Sequence, residues 1–342
     1  MRNLKSITTL AVGLFLSVNT MAQGNPVEYM NSVTEPINDL KTETWKYMKS
    51  VTKGKGARKV ENKRKELIYG LKNAKRQINT IDDYDGDEAF KNEAIEYVSM
   101  SITVLEEDFG KILDMEDIAE QSYDLMEAYL LAKEKASEKL DQASDELNAA
   151  QKTFAENNDI TLLEAENDRK TEKIKKAGKA LEYYNDIYLI FFKCYKQEMY
   201  VIEAQSRQDV SAMEQNISTL KSDAENGLAK LKEMESFDGD NTLRDACKEV
   251  LKFYLEESEE TFPTMVNFYL AQDNFNKAKE TFESTKKKDR TKALVEKYNS
   301  AIKDINEAVK EFNDVNESAN DDRKDATKLW NKSVDKFFSN NA

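Results

Sequence analysis

The chain has 342 residues, and 65 acidic against 51 basic side chains give it a net charge of −14. A chain this acidic is repelled by nucleic-acid phosphates and anionic headgroups, so its composition excludes nucleic acid as an expected partner. It has no histidine, which excludes Ser-His and Cys-His nucleophile pairs and His-bearing zinc sites.

The N-terminal segment, residues 1–22, has the pattern of a signal peptide. Two basic residues precede an apolar stretch at 7–18, and Thr20-Met21-Ala22 resembles a cleavage site. The pattern predicts a mature chain that starts at Gln23 and is exported to the periplasm, the cell surface or the medium. The alternative is an uncleaved membrane anchor. No later apolar run approaches the roughly 20 residues of a spanning helix, so we expect no transmembrane span after signal removal.

Apolar residues recur every three or four positions along most of the remaining chain, as on one face of a helix. Pro36 predicts a kink in the first helix, or a start one turn later. The scarcity of Gly and Pro and the abundance of Ala, Glu, Lys and Leu predict an all-α fold of elongated antiparallel long-helix bundles with coiled-coil seams. We expect helices at about 27–53, 57–81, 88–109, 114–156, 161–206, 208–235, 241–262, 264–287 and 290–338.

The most apolar of these segments is "LEYYNDIYLIFFKCYKQEMYVIEA", residues 181–204. It carries two apolar stripes, so we expect neighbours on two of its sides. Its tyrosines, among them Tyr184, Tyr188 and Tyr195, either pack in a core or line a ligand cavity. The packed core is the favoured interpretation, because a phenol ring is large and apolar and its hydroxyl can reach the surface.

A tetrapeptide occurs twice, as Tyr-Asp-Gly-Asp at 84–87 and as Phe-Asp-Gly-Asp at 237–240. Apolar positions on both sides of each copy match at the same offset of 153, over residues 58–109 and 211–262. The pattern predicts an internal repeat. We therefore expect two related helical bundles. They comprise residues 23–160 and 161–342, and helix 161–206 is shared between them.

The triplets Asp85-Gly86-Asp87 and Asp238-Gly239-Asp240 are predicted to be structural turns. In each, the glycine can adopt the left-handed conformation that ends a helix, and the second aspartate can cap the next helix. The alternative is a calcium loop. It fails because Ile81 and Asn92 would occupy the first and last liganding positions of an EF-hand.

Other chemistry-bearing residues are few. Cys194 and Cys247 lie at apolar stripe positions and form either a disulfide of an exported protein or two buried free thiols. Acidic pairs such as Glu106-Glu107 and Glu256-Glu257 are expected on solvated faces. No Gly-rich phosphate loop occurs. We therefore predict no catalytic, metal or cofactor residue, no cofactor, and a protein that is not an enzyme.

Four segments carry a family resemblance. They are "NPVEYMN" (25–31), "ARKVENKRKELI" (57–68), "MEDIAEQSYDLMEAYLLAKEKA" (115–136) and "YYNDIYLIFFKCYKQE" (183–198). On these segments the chain resembles a family of exported, all-helical proteins of Gram-negative bacteria that are labelled surface proteins and have no assigned activity. The resemblance implies export and a helical fold, and it supplies no active-site residue.

These features favour a non-enzymatic envelope protein that binds an unknown envelope or extracellular protein or acts as a scaffold. One alternative is a helical pore-forming or membrane-active protein, for which the apolar run 187–192 is the candidate membrane segment. Another is a small-ligand binder with its site between helices, motivated by the tyrosines of 181–204. The sequence leaves the oligomeric state open.

Overall fold

The structure is a computed structural model, and it confirms the predicted all-α class for the residues that it describes. Of the predicted signal peptide, only Leu16–Ser17 is described, and it pairs with Leu162–Leu163 as a two-residue antiparallel ladder. The predicted cleavage site lies outside the described residues. The described residues are 16–17, 25–52, 57–110, 116–163 and 169–342.

The helices follow the predicted order, with two of the predicted segments each divided in two. The bounds in the first half of the chain are Pro26–Asn38 (α1), Lys41–Thr52 (α2), Ala57–Asn79 (α3), Ala89–Thr103 (α4), Glu116–Ala119 (α5) and Tyr123–Asn157 (α6). Those in the second half are Arg169–Ser206 (α7), Val210–Glu233 (α8), Thr242–Glu256 (α9), Phe262–Ser284 (α10) and Lys292–Asn341 (α11).

Two five-residue π-helical turns and one 3₁₀ turn complete the helical elements of the described chain. The first π-turn, Val104–Asp108, continues α4, and the second, Glu257–Thr261, joins α9 to α10. In each, the next residue's N–H bonds back to the carbonyl five positions earlier. The 3₁₀ turn, Lys287–Asp289, lies between α10 and α11.

The chain divides into two compact units. The first unit comprises Met1–Asp186 and Asp335–Ala342, and the second comprises Ile187–Val334. The long helices α7 and α11 therefore contribute residues to both units. The sequence predicted a division at residue 160 with a shared helix 161–206, whereas the division observed falls inside that helix.

The core of the first unit is built from helix faces with helical spacing. Helix α3 packs against α1, α2 and α4, and α6 packs against α4. Leu67, Leu71 and Ile78 lie on the inward face of α3 and are at most 1 % exposed. Each buried aliphatic side chain of this kind contributes about 2 kcal/mol, so this stripe anchors the helix. Phe154 of α6 contacts the rings of Tyr29 and Phe90 at 5.2 and 5.6 Å.

Equivalent elements recur at the offset of 153. Both bounds of α9, and both bounds of the second π-turn, lie 153 positions after those of α4 and the first π-turn. The local contacts recur as well. Lys91 Nζ donates to Ile81 O at 3.2 Å, and Arg244 Nη1 donates to Met234 O at 2.8 Å. In each case a basic side chain of the second helix holds the chain that enters the turn.

Candidate functional site

Three charged side chains meet inside the second unit. Glu198 lies on α7, Glu257 opens the second π-turn, and Arg323 lies on α11. The two glutamates are 5 % and 2 % exposed. Arg323 Nε donates to Glu198 Oε1 at 2.7 Å, and its Nη2 lies 2.6 Å from Glu257 Oε1. The guanidinium also lies over the ring of Phe262, 5.3 Å from its centroid.

Two carboxyl groups face one guanidinium in this cluster. Burial and the neighbouring charge of Glu198 raise the pKa of Glu257 to about 9. Although Nη2 is close, its direction is poor, and neither oxygen of Glu257 accepts a hydrogen bond from the described residues. Glu257 and Glu198 interact with each other, and the guanidinium of Arg323 balances the charge of Glu198. Burial raises the pKa of Glu198, while hydrogen bonds from Glu257, Arg323 and Tyr254 oppose that increase.

A groove with a volume of about 420 Å³ borders this cluster, between α9, the second π-turn and α11. Its walls are acidic at Glu249, Glu256, Asp322 and Asp325, and Glu257 lies at its edge. The groove holds no nucleophile paired with a base. Within the described part of the chain, no group of three acidic or cysteine side chains is arranged to hold a metal ion.

Helices α10 and α11 form a hairpin joined by aromatic contacts, and α10 also packs against α8 and the second π-turn. Between residues 267 and 318, Ala278 is the one buried residue. The seam is aromatic: Phe268 faces Phe312 with ring centroids 4.5 Å apart, and Phe282 stacks on Tyr298 at 4.4 Å. We call residues 267–318 the hairpin arm. Both outer faces of the hairpin arm are exposed to solvent.

The tip of the hairpin arm reads "KKKDRTK", residues 286–292, with five basic residues and one acidic residue. Arg290 is held in place: its guanidinium lies 4.0 Å from the Phe282 ring centroid, and its Nε donates to Thr285 O at 3.0 Å. The stretch Lys286-Lys287-Lys288 is exposed, and its ammonium groups pair with none of the described carboxylates. We call residues 286–292 the basic tip.

The two Asp-Gly-Asp triplets form tight turns. The aspartate and glycine of 85–86 have φ of 50° and 80°, and those of 238–239 have φ of 49° and 83°. Two successive left-handed residues are typical of a type I′ turn. The second aspartate of each triplet lies one residue before the N-cap, which is Glu88 or Asn241, and accepts from the first helical N–H: Asp87 Oδ1 accepts from Ala89 N at 2.8 Å, and Asp240 Oδ1 accepts from Thr242 N at 2.7 Å.

The role predicted for the glycines was wrong in one respect. They do not end the preceding helices, because α3 ends at Asn79 and α8 ends at Glu233. Non-helical residues, 80–83 and 234–236, separate each helix from its turn, so the left-handed pair reverses the chain instead of closing a helix.

The cysteines are two buried free thiols. Cys194 and Cys247 are both 0 % exposed, and Cys247 Sγ lies 3.9 Å from Ile187 O. Burial raises the pKa of each thiol. Because the thiolate is the reactive form, these side chains act as small apolar core residues.

The tyrosines of α7 contact other aromatic rings. In the first unit, Tyr184 contacts Phe338 at 5.2 Å. In the second unit, Tyr188 contacts the ring of Trp330 at 6.5 Å, and Phe191 stacks on that ring at 4.3 Å. These contacts agree with the packed-core interpretation. The acidic groove is lined by other residues.

Sequence reasoning missed the buried cluster and placed Glu256-Glu257 on a solvated face. That is correct for Glu256, which is exposed, and wrong for Glu257. A signal was present in α7, where Glu198 continues a 4-3-4-3 stripe of apolar positions. The stripe contains Ile187, Phe191, Cys194, Glu198 and Val201, all of them buried.

No protein-family model, no curated protein and no solved structure matches this chain. In the described part of the chain, no helix carries a stretch that is both long and apolar enough to cross a bilayer.

Proposed function

We propose that the chain is an exported, non-enzymatic protein of the cell envelope that binds another protein or serves as a scaffold. The signal-peptide pattern and the resemblance to exported surface proteins support export. The hairpin arm supports binding, and it is the single observation that carries the proposal. The acidic surface and the helical bundles agree with a scaffold role.

The hairpin arm favours binding because few of its side chains are buried within the protein. Ordering a residue costs about 1–2 kcal/mol of backbone entropy. Burial between only two helices offsets less of this cost than burial in the hydrophobic core of a domain. Residues 267–318 bury Ala278 alone, yet they form two continuous helices. Leu270 and Val309 remain 43 % and 39 % exposed on the arm. A helical surface with exposed aliphatic residues suits a partner helix or groove.

The repeated elements support a second part of the proposal. The matched bounds, turns and basic-to-carbonyl contacts at offset 153 fit two related copies of one helical hairpin, 58–109 and 211–262. In this interpretation each copy supplies a rigid turn and a π-turn at equivalent places. The hairpin arm follows the second copy, whereas at the same offset in the first the described residues form α5 and α6.

Affinity capture with the tagged full-length protein tests the proposal. Leu270→Glu/Val309→Glu alters the outer faces of the hairpin arm without touching its aromatic seam. Tyr69→Glu/Leu131→Glu is the matched control, because those residues are 67 % and 45 % exposed elsewhere in the chain. We expect the arm variant to lose a partner that the wild type and the control retain. Equal capture by all three proteins contradicts a binding role for the hairpin arm.

The membrane-active alternative gains no support from its candidate segment, since Ile187, Phe191 and Phe192 are buried. The small-ligand alternative no longer rests on the tyrosines of α7, which pack against other rings.

A further inference from the structure

The basic tip contrasts with the rest of the chain. The whole chain carries a net charge of −14, whereas residues 286–292 carry five basic side chains against Asp289 alone. Lys286-Lys287-Lys288 is exposed and pairs with no carboxylate among the described residues. Whole-chain composition hides this local excess of positive charge.

The hairpin arm separates the basic tip from most of the acidic surface of the second unit. The part of α10 between the aromatic contact at the base of the arm, at Phe268, and the last helical residue before the tip, Ser284, is about 24 Å long at 1.5 Å per residue. The screening length at physiological ionic strength is about 8 Å. Carboxylates at the base of the arm, such as those of the groove, are therefore about three screening lengths from the tip.

We propose that the basic tip docks the protein on a bilayer surface that contains anionic phospholipid headgroups. Lys287 and Lys288 leave the 3₁₀ turn about 120° apart, and Lys286 precedes that turn, so the exposed lysines present separate point charges. Separate positive charges of this kind suit a membrane surface, because its anionic headgroups can move to positions near the lysines. Docking of this kind extends beyond the proposed protein binding and does not depend on it.

The residues near the tip disfavour the other polyanions. Single-stranded nucleic acid is usually held by exposed aromatic rings on which bases stack. Here Phe282 is half-buried between Tyr298 and the guanidinium of Arg290. The tip also lacks a large apolar anchor of the kind that dominates protein–protein interfaces. It therefore docks at the surface and does not insert into the bilayer.

Vesicle co-sedimentation of the full-length mature protein tests this proposal. The vesicles are phosphatidylcholine alone, or phosphatidylcholine with about 30 % phosphatidylglycerol, at about 0.05 M and about 0.5 M salt. We expect binding to the phosphatidylglycerol vesicles at low salt, and at least about tenfold less binding to phosphatidylcholine or at high salt.

Charge reversal locates the effect. Lys286→Glu/Lys287→Glu/Lys288→Glu leaves Arg290 and the aromatic seam intact, and we expect it to lower vesicle binding at least about tenfold. The matched control Lys232→Glu/Lys248→Glu/Lys332→Glu makes the same change of net charge on exposed lysines of α8, α9 and α11. We expect the control to keep most of the binding, and the arginine triple variant of the tip to keep all of it.

Three results overturn the proposal. They are no vesicle binding by the wild type, equal loss of binding in both charge-reversed variants, and binding to RNA in place of vesicles. Circular dichroism of each variant checks that its helices are formed. We expect no loss of helix in the tip variant, because lysines 286–288 lie outside the long helices.

Discussion

Replacement of Glu257 by glutamine tests the proton assigned to the buried cluster. The folded protein holds the carboxyl pKa near 9, whereas the ordinary value is 4.5. The folded state therefore keeps a proton that the unfolded chain releases above pH 4.5. The wild type should lose stability as pH rises from about 4.5 to about 9, by about 1.4 kcal/mol per pH unit. Glu257→Gln cannot ionise and should not show this loss.

The expected difference is large enough to measure. At pH 5 the two proteins should be within about 1 kcal/mol of each other, and between pH 5 and pH 8 the variant should gain roughly 4 kcal/mol of stability relative to the wild type. Urea unfolding followed by fluorescence measures this locally, because Trp330 is 3 % exposed and stacks on Phe191 in the same unit. Trp45→Phe in both proteins removes the other tryptophan signal.

Glu256→Gln is the matched control, because Glu256 is adjacent and exposed. Its stability difference from the wild type should not change with pH. If the difference between Glu257→Gln and the wild type is also constant from pH 5 to 8, then Glu257 is not protonated at neutral pH and the assigned charge state is wrong.

Removing the positive charge of the cluster should lower the stability of the protein at neutral pH, whereas Glu257→Gln should raise it. Arg323→Met leaves the carboxylate of Glu198 buried without its 2.7 Å donor, and we expect a loss of about 3–5 kcal/mol. Lys324→Met is the control on the exposed side of α11, and it should change stability by less than about 0.5 kcal/mol. Similar unfolding curves for the two variants would show that the ion pair contributes little.

Three further predictions concern other parts of the chain. Gly86→Ala and Gly239→Ala should each lower the unfolding free energy by about 1–2 kcal/mol, because φ values of 80° and 83° are left-handed and strain an alanine. No atom lies within 4 Å of the added Cβ, so the cost comes from the backbone alone. An unchanged melting temperature would refute this. Cys194 and Cys247 should not react with a thiol reagent until the protein unfolds, and rapid labelling of the native protein would contradict their burial. Gln151→Leu should stabilise the protein by about 1 kcal/mol, because the Gln151 amide is fully buried and makes no hydrogen bond with the described residues; destabilisation in calorimetry would reveal a partner.

The helices could be predicted because helical periodicity is a local property. The segment 208–235 was predicted, and α8 runs from Val210 to Glu233. The Asp-Gly-Asp turns could be predicted because two left-handed positions in sequence strongly favour glycine and aspartate. Boundaries inside long periodic stretches were missed. The predicted helix 114–156 is interrupted at residues 120–122, where Ser122 Oγ accepts from Leu125 N and starts α6.

The buried cluster could not be predicted from local pattern. Its ion pair joins residues 125 positions apart, and no periodicity specifies which of many charged side chains faces inward. Glu198 lies on an apolar stripe, which indicates burial but does not identify Arg323 as its partner. The π-turns were missed for a similar reason, since one extra residue in a turn hardly changes the apolar spacing. The basic tip was visible in the sequence, but its distance from the carboxylates of the groove depends on the hairpin arm.

Site-specific photo-crosslinking in living cells of the native host tests the central proposal most directly. A photoreactive amino acid is placed at Leu270 or Val309 on the hairpin arm, or at Tyr69 or Leu131 as exposed controls. We expect the two arm positions to crosslink to one common protein, identified by mass spectrometry, and the two controls not to do so. Correct export without any crosslink from the arm, or the same crosslinks from all four positions, would contradict a binding role for the hairpin arm.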